Sequence, residues 1–179
     1  MLLRYIVLLL LCVAVVTHGL AQYSSTDGPA EDAASLYGQG EQAYRRGDHE
    51  AAVLHFTNAL QADPEHINAY LHRGFCYSIL KRYTEAIADL TAVIQREPAH
   101  MLAYTSRGSA YHRTGQHEAA MADLDRVLAM DARNEEAWNN KGWVHKSQGD
   151  MPAACKAWRT SQRMGNGEAK IILQNNRCK

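Results

Sequence analysis

Residues 67–100 read INAYLHRGFCYSILKRYTEAIADLTAVIQREPAH, and residues 101–134 read MLAYTSRGSAYHRTGQHEAAMADLDRVLAMDARN. Laid over one another, the two stretches agree at chosen places. Ala69-Tyr70 falls on Ala103-Tyr104, Arg73-Gly74 on Arg107-Gly108, Tyr77 on Tyr111, Ala86 on Ala120, and Ala88-Asp89-Leu90 on Ala122-Asp123-Leu124. This is an internal repeat of 34 residues. That length suits a helix-turn-helix unit, which cannot bury its apolar face alone and stacks with its copies into a solenoid.

The residue types at those places explain the agreement. Glycine inside a helix costs about 1 kcal/mol relative to alanine, so Gly74 and Gly108 are useful only where another chain element must come close. Ala86 and Ala120 lie twelve residues further on, in the second helix. Small against small predicts two antiparallel helices packed at short range. Tyr70, Tyr77, Leu90 and Ile94 then fill the seam to the next pair. Pro98 falls where the second helix must stop, because proline lacks the amide hydrogen and clashes with the preceding turn.

These residues make the chain resemble the tetratricopeptide repeat family. The family pattern has a large aromatic at place 4, Gly or Ala at 8, Tyr at 11, Ala at 20, an aromatic or Leu at 24, Ala at 27 and Pro at 32. Four units follow without gaps, at 33–66, 67–100, 101–134 and 135–168. The resemblance implies an all-α fold, a right-handed superhelical α-solenoid of four helix-turn-helix units with a capping helix at 169–179.

The units depart from the pattern in informative ways. Unit 1 keeps Leu36, Gly40, Ala52, Phe56, Ala59 and Pro64, with Gly47-Asp48 as its turn, but holds Ala43 at place 11 with Tyr44 beside it. Asp48 is placed to accept a hydrogen bond from a free amide at the start of the second helix. Units 2 and 3 carry Arg73 and Arg107 at place 7, with Asp89 and Asp123 at place 23. We expect an arginine–carboxylate bridge between the helices of each central pair, setting register more than net stability. Unit 3 has Ala132 where unit 2 has Pro98, so its stop rests on Asp131, Arg133 and Asn134. Unit 4 keeps Ala137-Trp138, Gly142, Gly149-Asp150, Ala154 and Trp158. Its polar Ser161-Gln162 suggests that the stack is ending. After Gly165-Asn166-Gly167, residues Ala169, Ile172 and Leu173 share one apolar face, as a helix closing the open end of a solenoid requires.

The chain of 179 residues balances 19 basic against 19 acidic groups, so no global field draws in nucleic acid or anionic lipid. Arg4, the apolar run 5–16 and the small residues Gly19 and Ala21 read as an export signal at 1–21 with cleavage after Ala21. An uncleaved membrane anchor is the alternative reading. Residues 22–32 are polar and read as a flexible linker.

Four cysteines are present. Cys12 lies in the signal, and Cys76 sits mid-helix at a small place, as a core thiol. The turn at 165–167 runs the last two helices antiparallel and brings Cys155 and Cys178 level. An exported compartment permits the disulfide this suggests. The ending GDMPAACKAWRTSQRMGNGEAKIILQNNRC resembles the terminal segment of exported tetratricopeptide repeat proteins from the Bacteroidetes, in which Gly-Asp, Ala-Cys, Trp and a last Cys recur.

Motifs of enzymatic chemistry are incomplete. Gly38-Gln39-Gly40-Glu41-Gln42-Ala43 fits a dinucleotide fingerprint but follows no strand. His49-Glu50 and His117-Glu118 begin a zinc-protease motif and lack its second histidine. We therefore expect no catalytic residue, no metal and no cofactor, and place function on a surface. In the family the first helices line a concave groove. Carried over, its places give Tyr37, Glu41 and Tyr44 in unit 1, and Leu71, His72, Phe75 and Ile79 in unit 2. Unit 3 gives Thr105, Ser109, His112 and Arg113, and unit 4 gives Asn139, Asn140, Trp143 and Lys146. Phe75 and Trp143 read either as anchors for a partner or as packing into the neighbouring unit. Arg113 and Lys146 suit a carboxylate. The Lys/Asn clamp of chaperone-binding members is not reproduced, because Tyr37, Leu71, Glu41 and Phe75 hold its places. The resemblance implies a non-enzymatic adaptor binding a peptide segment or protein in the groove, periplasmic or secreted. The alternative is a structural subunit that joins an envelope complex, or itself, through its convex face or ends.

Overall fold

The computed structural model describes residues 32–178; the expected signal at 1–21 and nearly all of the linker at 22–32 lie outside them. The described residues are all-helical: α1 (Ala33–Arg45), α2 (His49–Ala62), α3 (Ile67–Ile79), α4 (Tyr83–Arg96), α5 (Met101–Arg113), α6 (His117–Met130), α7 (Glu135–Ser147), α8 (Met151–Met164) and α9 (Ala169–Asn175). Among them no helix is long and apolar enough to cross a membrane.

Each helix starts and stops for a local reason. Asp32, His66, His100 and Asn134 cap the four first helices, accepting from the backbone N–H of Ser35, Ala69, Ala103 and Ala137. Asp48 and Asp150 do the same for α2 and α8, at Ala51 and Ala153. Each cap satisfies one of the amides that a helix start leaves without an intrahelical acceptor. After α6, Asp131 accepts from the N–H of Arg133 at 2.9 Å, so an aspartate turn stands where unit 2 has proline. Between the helices of each pair one residue is left-handed: Gly47 at φ 80°, Lys81 at 62°, Gly115 at 77° and Gly149 at 83°. Three of the four are glycine, which adopts that conformation freely.

The pairs nest differently from the small-against-small expectation. What lies over each place-8 glycine is the large residue at place 24. A Cβ on Gly40 would stand 2.5 Å from the Phe56 ring, one on Gly142 would enter the Trp158 indole, and one on Gly74 would come within 3.1 Å of Leu90. At Gly108 the alanine is among the nearest neighbours, through the carbonyl of Ala120 at 3.3 Å. Phe56, Leu90, Leu124 and Trp158 are all fully buried, so the glycine makes room for the largest fully buried side chain of each pair.

Helices pack along the chain, each second helix against the next first helix. The first helices of successive pairs also touch one another, while the second helices scarcely do, which makes α1, α3, α5 and α7 the inner face of the curve. At the far end α9 packs on α8 and buries Ala169, with Ile172 and Leu173 half-buried. Cys155 and Cys178 are joined as a disulfide with their Cα atoms 5.5 Å apart. Ser161 is fully buried, and its hydroxyl donates to the carbonyl of Glu135 at 2.7 Å. Its polarity fastens α8 to α7 and does not face an open end.

Candidate functional site

The charged residues of the central units hold the inner helices in place. Arg73 Nε and Nη2 donate to the two carboxylate oxygens of Asp89 at 2.7 and 2.8 Å, and Arg107 holds Asp123 the same way at 2.8 Å. Each guanidinium also lies over two tyrosines of its own helix, Arg73 over Tyr70 and Tyr77, Arg107 over Tyr104 and Tyr111. Burial pushes the Asp89 carboxyl up, against the pull of Arg73. A contact that the sequence did not suggest runs backwards across each boundary: Arg73 Nη1 reaches Thr57 Oγ1 at 3.0 Å, and Arg107 Nη1 reaches Thr91 Oγ1 at 2.9 Å. In unit 4, which lacks the arginine and the aspartate, Lys141 stands at the same place and pairs with Asp125 of the preceding unit.

On the inner face two expected residues are absent from the surface. Leu71 is 6 % exposed, packed with Leu90, Val93, Ile94 and Ala103, and Thr105 is 2 % exposed, its hydroxyl given to the carbonyl of Met101. Both occupy place 5. That place turns toward the first helix of the next pair, as the contact of Leu71 with Ala103 shows, so neither can meet a partner. Tyr37, at the same place in unit 1, stacks on His66 and His72, and its hydroxyl bonds His72 Nδ1 at 2.9 Å. Burial, then the charge of Glu41, raises its pKa to about 12. Glu41 forms an ion pair with Arg45 at 3.7 Å. Asn139 turns inward, and its backbone carbonyl accepts from the Trp158 indole N–H.

Of the remaining residues all but His72 and Lys146 line two depressions that meet at Ser109. The first, about 240 Å3, is bounded by Tyr44, Phe75, Ser78, Ile79, Ser106, Ser109 and Glu136. The second, about 280 Å3, lies between α5 and α7 and is bounded by Ser109, His112, Arg113, Asn140 and Trp143. Burial lowers the pKa of His112, and His117 and Arg113 lower it further, so the ring is neutral near pH 7. Trp143 and Trp158 make an edge contact with ring centroids 5.0 Å apart, and Lys146 Nζ lies over the Trp143 ring, 5.0 Å from its centroid. It therefore packs and faces the groove at once, as does Phe75. Lys146 also donates to Asn176, just beyond α9, at 2.6 Å. Ser78, Ser106 and Glu136 were not singled out in the sequence, although the groove places that named their neighbours include all three.

A stack of helix pairs with a lined inner face is the architecture of a helical-repeat binding protein. Models of the tetratricopeptide repeat family match residues 43–99 and 80–134, together more than half of the chain, and the chain belongs to that family. It is 32% identical over 62 residues to the mitochondrial import receptor subunit TOM34 of Homo sapiens, which covers 35% of this chain and 20% of that protein. It is 38% identical over 60 residues to Hsp70-Hsp90 organizing protein 3 of Arabidopsis thaliana, covering 34% of this chain and 10% of that protein. The chain thus matches only a tenth to a fifth of the length of these relatives. Among solved structures, MamA of Desulfovibrio magneticus superposes with a TM-score of 0.71 at 25% identity, over 74% of this chain and 75% of that one.

Proposed function

We propose that this chain is a non-catalytic adaptor that takes a peptide segment or protein on its inner face, in an exported compartment. One observation carries the reading. The structural work of the fold is done by the glycines, the place-24 side chains and the buried arginine bridges, while Ile79, Arg113 and Asn140 line two adjoining depressions without such a task. Export is supported by the apolar run at 5–16 and by the position of the Cys155–Cys178 pair, which an oxidising compartment would keep joined. The matched relatives carry names of proteins that handle other proteins, which fits an adaptor.

The test uses the immobilised chain and envelope extract. A partner retained by the wild type and lost from a Phe75→Ala, Trp143→Ala double variant with unchanged circular dichroism supports the groove. Retention by the double variant refutes it. A second reading, a structural subunit joining a complex or its own copies by its outer face or ends, is favoured by the open apolar patch of Pro98, Ala99, Met101 and Leu102 at the α4–α5 connection. It predicts capture unaffected by the groove variant. N-terminal sequencing of the protein from the periplasm or the medium tests export and cleavage after Ala21.

A further inference from the structure

We propose that the depression between α5 and α7 is a subsite for an acidic side chain of the bound peptide. The adjoining depression then takes a bulky apolar side chain two positions away. The proposal rests on the reading above, that the inner face binds a peptide, and names the chemistry it selects.

Arg113 is the first support. Its Nε donates to the Tyr83 hydroxyl at 3.2 Å and its guanidinium lies over that ring, 5.7 Å from the centroid. The side chain is thereby oriented, while its two terminal nitrogens bond no other described residue. In Arg73, Arg96 and Arg107 that edge is filled, each gripping a carboxylate with two nitrogens. A guanidinium held by one nitrogen with its fork open is prepared for a planar anion.

The surroundings agree. No carboxylate lines this depression, and Ser109 and Asn140 add neutral donors. Lys146 stands beside it on the Trp143 ring, held by Asn176, with ammonium hydrogens to spare. Next door Tyr44, Phe75 and Ile79 stand among three serines and Glu136, and Ile79 is 49 % exposed. The two depressions share Ser109, and alternate side chains of an extended segment lie about 7 Å apart on one face. Glu136 stands in the wall of this adjoining depression and repels an acid placed there, which fixes the order of the two side chains. The inner face continues past both depressions, toward α1 on one side and Asn176 on the other. A segment therefore runs through, and its acid is a side chain, not a chain terminus.

The experiment selects random dodecapeptides displayed on phage against the immobilised protein. Binders lost on the Phe75→Ala, Trp143→Ala variant are sequenced. The expected result is Asp or Glu two positions from Leu, Ile or Phe. Changing that acid to its amide in a synthetic, C-amidated peptide should weaken binding about tenfold. Selection on an Arg113→Glu, Lys146→Glu variant should turn the preference to Lys or Arg; both side chains are exposed, so the fold tolerates the change. Groove-dependent binders without acidic enrichment overturn this subsite and leave the adaptor reading standing. Peptides that bind only with a free C-terminus overturn the side-chain assignment. A library with no groove-dependent binder overturns both readings.

Discussion

The guanidinium of Arg107 donates to the hydroxyl of Thr91, in the preceding helix pair, at 2.9 Å while it holds Asp123 within its own pair. One side chain thus sets the register inside a repeat and between repeats. The two partners are 14 % and 8 % exposed, so neither is free to find water if the other goes. Arg107→Met should cost about 3 kcal/mol in urea unfolding, because it strands a buried carboxylate. The double variant Arg107→Met, Asp123→Leu should lose less than that single change. Thr91→Val should cost about 1 kcal/mol, the size of one hydrogen bond. A double variant as unstable as the sum of its singles would refute the coupling.

Lys81 occupies the turn place that Gly47, Gly115 and Gly149 hold in the other units, at φ 62°. A side chain in that conformation is disfavoured by about 1 kcal/mol, which glycine avoids. Lys81→Gly should therefore raise the unfolding midpoint, against the usual effect of adding glycine. A lower midpoint would mean that the entropy of the unfolded chain outweighs the strain.

The fold was legible because its determinants are residue types with few other uses. Glycine mid-helix, the alanine twelve residues on, and Pro98 after a helix admit few readings, and their spacing fixes the pairs, although what lies over each glycine is the large side chain at place 24. The links between pairs were not legible. Thr57, Thr91 and Asp125 share a place but not a chemistry, and each looks like an ordinary surface residue until an arginine or lysine is seen to reach it. His66 and His100 escaped notice as caps because histidine is not among the usual ones. Arg113 and Trp143, expected on the inner face, do line a depression there, each while also touching a neighbour, Tyr83 and Trp158. The groove was misread at Leu71 and Thr105, where the seam to the next pair claims the position.

Gly142 and Gly74 look equivalent in sequence, yet a Cβ at the first enters the Trp158 indole and at the second comes no nearer than 3.1 Å to Leu90 and 3.5 Å to Asp89. Gly142→Ala forces a buried indole to move, at roughly 1–3 kcal/mol. Gly74→Ala gains about 1 kcal/mol of helix propensity against a tight but flexible neighbour. Thermal melts should show the first variant clearly destabilised and the second near wild type. Equal losses would mean that both glycines serve the backbone approach alone.

Tyr37 and His72 give the fold opposite sensitivities to acid and base. Burial lowers the His72 pKa below its ordinary 6.5, Glu41 opposes this, and His66 lowers it further. The unfolded chain then takes up the proton first. This contribution to stability is full above pH 6.5 and is lost as the pH falls through the lower folded value. For Tyr37, raised to about 12, the contribution is full below the ordinary 10 and lost as the pH climbs through the folded value. Urea unfolding at stepped pH should show both slopes, and absorbance near 295 nm should show one tyrosine ionising after the rest. His72→Gln should flatten part of the acid limb; His112, lowered in the same direction, supplies some of the remainder.

The disulfide ties the last turn of the chain to α8 and, through Asn176, fixes a cation of the groove. Cys155 and Cys178 are 23 residues apart, a loop whose closure stabilises by about 3 kcal/mol on the chain-entropy account. Before reduction, peptides containing these two cysteines should resist alkylation, and after reduction both should be modified. Helix α9 has seven residues and buries fully only Ala169, too little to stay docked unaided. Cys178→Ser should therefore speed amide exchange across 169–178 and raise the reactivity of Lys146 toward acylation, since its ammonium loses Asn176. If exchange stayed slow in that variant, Ile172 and Leu173 would be holding the cap by burial alone, and the groove would be independent of the redox state of the chain end.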